Sequence, residues 1–481
     1  MTAGPAQQTA QAAPEVVTGI AVFSPALVVM ALVVAAYGAM ETMIAPIIPF
    51  VQAKMHATSP QIAWMFTGLL LVGAVALPLL GRLAEVFDKR NVVIASLLIS
   101  SIGAVMTALA PNVEILIAGQ SLQGVGIGAQ PIAFSMVRDI VPPKQVGAAT
   151  AFLSGTGSSF AAIGLLVTGP ILGHLGYAFV YWIPVAIIVV GVIGMIALLP
   201  KLPSTARRSI DWPGALILGG GFALLLIGLT LSSTNPWLSF QVLGLMVIGT
   251  VGAIGFAFWE RRAQSPLLDL QAMKQRDVGL TIVIMAFMGL AQFTLFTIMP
   301  SLSVVPASTG YGMGGDGTTA SLVVFVFVAV ASLAQFCLPP IRRLIGARGV
   351  LILQGGCLIL AAIPVFFIGH VHWLGWLTMA VGGFGLGIGS LQTVNIILDR
   401  VAQDRVPSVV SSLWVVRSIG GTFGSQITAA ILVANIAAGA TIASFSGYAE
   451  STVLVVIGGI AIVVLAAAMT RGRGQGHRLG S

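Results

Sequence analysis

The sequence predicts an all-α integral membrane protein with fourteen transmembrane helices, and three observations carry that prediction. Only 7% of the 481 residues are charged against 57% hydrophobic, whereas a soluble domain carries about 25% charged residues. Apolar runs of the length a spanning helix needs, about 20 residues, recur along the whole chain between short polar breaks. Nearly all the basic residues fall in every second break. Backbone groups cannot stay unpaired in lipid, so each run must close its hydrogen bonds internally, as a helix does. The short-period alternation of a transmembrane barrel is absent from the sequence.

Reading the runs in order places helices at roughly 26–52, 61–80, 91–111, 114–137, 146–172, 177–199, 213–232, 237–258, 278–304, 318–340, 349–369, 373–398, 407–436 and 450–469. The basic breaks hold Arg82, Lys89 and Arg90; Arg138 and Lys144; Lys201, Arg207 and Arg208; Arg261, Arg262, Lys274 and Arg276; Arg342, Arg343 and Arg348; Arg400 and Arg405; and the tail Arg471, Arg473 and Arg478. That is twenty of the 22 Lys and Arg residues, and the positive-inside rule assigns those breaks and both termini to the cytoplasm. The formal charge of +8 is therefore a topology signal, and no nucleic-acid partner is expected. The exceptions are Lys54, just beyond helix 1, and Arg417, inside helix 13.

The first twenty-five residues contain no Lys or Arg and no cleavage pattern after the apolar run, so helix 1 is expected to remain in the mature protein. Cys337 and Cys357 lie in or beside apolar runs and read as packing residues.

Laid over itself at a shift of about 260 residues, the chain shows an internal repeat. Gly124, Gly126 and Gly128 lie over Gly385, Gly387 and Gly389, followed by the charged pairs Arg138-Asp139 and Asp399-Arg400. Leu77-Pro78 lies likewise over Leu338-Pro339. Two six-helix halves with two helices between them result, a six-plus-two-plus-six order. The expected segments are a cytoplasmic tail 1–25, an N-terminal half 26–199, a linker with two inserted helices 200–277, a C-terminal half 278–469 and a basic tail 470–481.

Two charges lie within apolar runs, where a charge costs about 2.5–3.5 kcal/mol on insertion scales. Glu41, past the middle of helix 1, has no basic residue at helical spacing. It is read as a proton carrier, against a carboxylate facing a wet cavity or paired with a distant residue for structure alone. Arg417 is read either as its partner in coupling or as a side chain reaching for the cytoplasm.

Amides collect at Gln120, Gln123, Gln130, Gln292, Gln392, Asn395 and Gln426, where they either bridge helices or line a cavity. Of these, Gln120, Gln123, Gln292, Gln392, Asn395 and Gln426 are cavity candidates. Among the aromatics Tyr37, Trp64, Phe293, Phe296 and Trp414, all but Trp64 join them. Four glycine pairs, Gly124/Gly128, Gly169/Gly173, Gly385/Gly389 and Gly420/Gly424, are spaced for close helix packing. Pro170 after Gly169 gives helix 5 a possible pivot. No phosphate loop is present, and His370 with His372 makes only a weak metal signal.

Several segments resemble the fourteen-helix drug:proton antiporter branch of the major facilitator superfamily. The loop Gly81, Arg82, Leu83, Ala84, Glu85, Val86, Phe87, Asp88, Lys89 and Arg90 is similar to the family's gating loop G-x-L-a-D-r-x-G-r-k, with Glu85, Val86 and Asp88 in place of its Asp, Arg and second Gly. Gln120 through Gly126 resembles the helix 4 motif R-x-x-Q-G-x-G, with Gln120 where the family has Arg. Gly169, Pro170 and Gly173 resemble the helix 5 antiporter signature, whose final Gly is His174 here. Met40-Glu41-Thr42 through Pro49, Glu260 through Leu270, and Val416-Arg417 through Gly421 are similar to the motifs of helix 1, of the segment after the inserted pair and of helix 13.

The resemblance implies a proton-coupled antiporter that exports amphipathic small molecules, such as drugs or antibiotics, by alternating access. The substrate site would lie between the halves. It implies no enzymatic activity and no cofactor, with the proton gradient as energy source. The expected partners are the small-molecule substrate, protons and the lipid bilayer. A monomer in a bacterial plasma membrane is expected. The rival readings are a metabolite importer or facilitator of the same fold, and a multi-span sensor or scaffold without transport.

Overall fold

The computed structural model describes residues 24–201, 211–232, 235–236, 238–262, 274–368, 371, 373–401, 406–436 and 442–470. Arg207, Arg208, Arg405, Arg471, Arg473, Arg478, His370 and His372 lie outside them, as do nearly all of both expected tails.

Helices account for the described chain almost throughout. The first half contains α1 (Pro25–Met55), α2 (Ser59–Val86), α3 (Lys89–Ala108), α4 (Val113–Gln123), α5 (Ala129–Ile140), α6 (Val146–His174) and α7 (Tyr177–Leu198). The inserted pair is α8 (Trp212–Leu231) and α9 (Phe240–Glu260). The second half contains α10 (Arg276–Val304), α11 (Gly317–Ala362), α12 (Leu374–Arg400), α13 (Val406–Ala434) and α14 (Phe445–Ala468). Among the described residues, eleven helices are long and apolar enough to cross a membrane.

Two elements depart from the sequence reading. The run expected at 114–137 is split into α4 and α5 by a 3-10 stretch, Gly124–Gly128. The runs at 318–340 and 349–369 join as α11, which bends where Gly346 takes φ +73°. Glycine enters that left-handed region without the Cβ penalty of other residues, so the chain turns there without a separate loop. With its 3-10 extension this stretch, Gly317–Phe367, has 51 residues, about twice what a single crossing needs.

Local chemistry sets the ends. Ser24 and Thr58 cap α1 and α2, Thr58 within a capping box with Gln61. Asp88 caps α3 by accepting from Arg90 N and Asn91 N. Asp316 caps α11, where the Thr319 N–H holds its carboxylate below the usual range. Asp211 caps α8 and also accepts from Trp259 Nε1 at 3.0 Å, fastening the inserted pair at that end.

The halves are built alike. α1 packs on α6 and α7 as α10 packs on α13 and α14. At the basic-loop end, ion pairs act within each half: Lys89 with Asp139 at 2.6 Å, Arg342 with Asp399, and Arg400 with the buried Asp277 at 2.7 Å. Asp277 also accepts from Thr470 N, clamping the ends of α10, α12 and α14 together.

Besides an apolar cluster of Ala74, Leu77 and Val415 with the inserted pair, the halves touch towards the opposite end. Thr67 Oγ1 lies 3.0 Å from Ser425 Oγ, and Phe66 packs edge-on against Phe293 with centroids 5.1 Å apart. Trp64 Nε1 donates to Thr230 Oγ1 at 2.9 Å, and that hydroxyl stands 3.2 Å from Gln426 Oε1. Gly169 abuts Thr318 so closely that a Cβ on the glycine would lie 2.5 Å from the Thr318 Cα. The molecule is thus sealed at the end remote from the basic loops.

Candidate functional site

Midway along the helices, α1 carries Glu41, α10 carries Gln292 and Phe293, and α13 carries Trp414 and Arg417. Gly420 faces the Ala286 carbonyl with no room for a side chain. This brings α10 and α13 close enough for the central pairing. Arg417 donates from Nε and Nη2 to Gln292 Oε1, at 3.2 and 2.7 Å. Its guanidinium carbon lies 5.5 Å from the Phe293 ring centre and 5.1 Å from that of Trp414, an attraction to the ring faces that also fixes the plane of the group.

Glu41 and Arg417 act on each other electrostatically. No ion pair joins them: the described ion pairs all lie at the basic-loop end. Both side chains are largely enclosed by protein yet keep some accessible surface. Gln130, also partly accessible, brings its Nε2 to 3.5 Å from where a Cβ on Gly38 would sit, one turn before Glu41. It was legible as an amide but not as a neighbour of Gly38.

Above this level Phe66, Phe293, Phe296 and Phe327 form a buried row, with centroids 5.1, 5.9 and 5.0 Å apart in sequence. Edge-to-face stacking of this kind contributes about 0.5–1.5 kcal/mol per pair beyond burial. Phe293 and Phe296, expected to line the cavity, are buried in this row, Phe293 with one face towards Arg417.

Other candidates are placed elsewhere. Tyr37 is buried, its hydroxyl donating to the Gln123 carbonyl at the start of the 3-10 stretch. Gln120 and Gln123 are wholly buried and bonded to each other, and Gln123 Nε2 also donates to Thr107 Oγ1 at 2.9 Å. Gln392 is wholly buried, and Gln426 belongs to the seal. Tyr37, Gln120, Gln123 and Gln426 bridge neighbouring groups in this conformation, whereas the buried amide of Gln392 has no hydrogen-bond partner among the described residues. Trp414 and Asn395 are partly accessible.

The loop segment makes several contacts within its own half. Arg82 pairs with Glu85 at 2.9 Å, Asp88 caps α3, and Lys89 pairs with Asp139. Arg90 donates to the Leu199 carbonyl at 2.6 Å. Gly81 has open space beside it. Gly169 lies at the seal, while Gly173 is exposed, and α6 runs through Pro170 without interruption.

Residues 30–425 match the Major Facilitator Superfamily. That match and the all-helical fold define a membrane transporter, and this chain belongs to that superfamily; it is a transporter, not an enzyme. It is similar to the Multidrug transporter protein MdtP of Bacillus subtilis (strain 168), 24% identical over 371 residues, covering 77% of this chain and 68% of that one. The Lincomycin resistance protein LmrB of the same organism is 24% identical over 393 residues, 79% of each chain. The match spans 58% of an MFS-type transporter of Mycobacterium tuberculosis, Rv1877. In fold it resembles a peptide transporter of the POT type solved with sulfate, with a TM-score of 0.65 at 15% identity, covering 94% of this chain and 95% of that one.

Proposed function

We propose that the protein is a proton-coupled antiporter that exports amphipathic small molecules by alternating access. The observation that carries this reading is the partly accessible carboxyl of Glu41, joined by no ion pair among the described residues and within electrostatic reach of Arg417, which Gln292 holds in place. A carboxyl there can take up a proton from one side and release it to the other as the halves trade exposure. The contacts that join the halves at the end remote from the basic loops support a conformer open towards the basic side. By the positive-inside rule that is the cytoplasm, and the fourteen crossings with both termini cytoplasmic belong to the same reading. The names of MdtP and LmrB support drugs or antibiotics as cargo.

No cofactor is required. One proton moving down the membrane potential supplies about 2.3 kcal/mol per 100 mV. The test is substrate-induced proton movement in vesicles holding the purified protein, scanned over cationic, neutral and zwitterionic amphipaths. Countermovement of protons with at least one compound is expected. Uptake with protons moving in the same direction as the compound would instead favour an importer.

A further inference from the structure

Among the described residues, the site holds one carboxylate, Glu41, and one guanidinium, Arg417, on opposite halves, and no ion pair joins them. Two opposite charges in a medium poorer than water attract strongly, so leaving them unpaired requires other groups to hold them. The holding groups for Arg417 are Gln292 Oε1, at 2.7 Å from Nη2 and 3.2 Å from Nε, and the ring faces of Phe293 and Trp414. Nη1 takes no part in the bond to Gln292. Among the described charged groups, Arg417 is the one that acts on Glu41. Tyr37, the other titratable group it acts on, has its hydroxyl bonded to the Gln123 carbonyl. The partly accessible Trp414 supplies an aromatic wall, and Gln130 an amide on the Glu41 side.

We propose that the cavity is a zwitterion site, which takes amphipaths carrying an ammonium group at Glu41 and a carboxylate or similar oxyanion at Arg417, with an apolar body against Trp414. This rests on the reading of the cavity as the transport site. A ligand with only a positive charge meets the repulsion of Arg417, and one with only a negative charge meets that of Glu41. A ligand bearing both satisfies each fixed group, and prior fixing of the groups reduces the ordering cost of binding. The chemistry is also consistent with antiport: the ammonium takes the position of the proton on Glu41, the proton leaves to solvent, and the two occupants exclude each other.

The test is equilibrium binding to the purified full chain in nanodiscs at fixed pH, with four compounds on one aromatic scaffold. These are the amino acid, its methyl ester, its N-acetyl derivative and its N-acetyl methyl ester, which present both charges, the cation, the anion and neither. The amino acid is expected to bind about tenfold more tightly than each singly charged form. Arg417→Gln should remove the advantage of the amino acid over the ester, and Arg417→Lys should keep it. Glu41→Gln should remove its advantage over the N-acetyl acid.

An ester that binds the native protein as tightly as the amino acid would overturn the proposal. So would an equal loss for all four compounds in Arg417→Gln, or no saturable binding by any of them to monodisperse native protein. Binding needs no gradient, so a zwitterion preference without proton countermovement would leave this inference standing and reject antiport. The converse result would do the reverse.

Discussion

Arg417 gives both its Nε and Nη2 protons to the single carboxamide oxygen of Gln292, although Glu41 lies within electrostatic reach. A neutral amide thus holds a cation that would otherwise close on a carboxylate. That arrangement leaves Glu41 available for protons and cargo.

Removing the acceptor should therefore collapse the site. In Gln292→Leu the guanidinium loses a charged hydrogen bond, an interaction of about 1.5–3 kcal/mol, and swings towards Glu41. Transport should fall about tenfold or more, because that energy corresponds to at least a factor of ten. Gln292→Glu keeps an acceptor at the same place and should retain most activity. Initial rates in vesicles measure both, and equal loss in the two variants would count against a positioning role.

Gly169 touches Thr318 across the sealed end, with no room for a Cβ at 2.5 Å from that Cα. A leucine there should hold the end open, since overpacking costs about 1–3 kcal/mol. Labelling of a single cysteine placed at Thr67 by a membrane-impermeant reagent from that side should increase several-fold. Unchanged labelling in Gly169→Leu would show that the contact does not set the seal.

The inserted helices contribute to the same closure. Thr230 on α8 bonds Trp64 of the first half and stands beside Gln426 of the second. Thr230→Val keeps the shape and removes the hydroxyl, at a cost of about 1 kcal/mol. The sealed conformer should lose population by about fivefold relative to the open one. Distances between spin labels at the outer ends of α2 and α13 should report this as a growing long-distance component, absent if the hydroxyl is only decorative.

The fold was legible because the bilayer constrains the chain so narrowly. Apolar length and basic breaks located most of the described helices without any contact information. The bend at Gly346 escaped because Arg342, Arg343 and Arg348 make the surrounding stretch look like an ordinary loop, whereas φ is invisible in sequence. The 3-10 stretch at Gly124–Gly128 is equally hidden, since three glycines read as packing sites in a helix. Glu41 and Arg417 stood out because charges inside apolar runs are costly. Their relation to Gln292 did not, because 125 residues separate Gln292 from Arg417. Gln120 and Gln123 looked like cavity amides, yet three-residue spacing on one helix also lets them bond each other, as they do.

The most direct test of the account is proton release on substrate binding, measured with a pH indicator in weakly buffered detergent solution. For a transported compound the native protein should release about one proton per molecule bound, and Glu41→Gln, folded and still able to bind neutral analogues, should release none. Release of the same amount by Glu41→Gln would place the exchanged proton on another group and contradict the account.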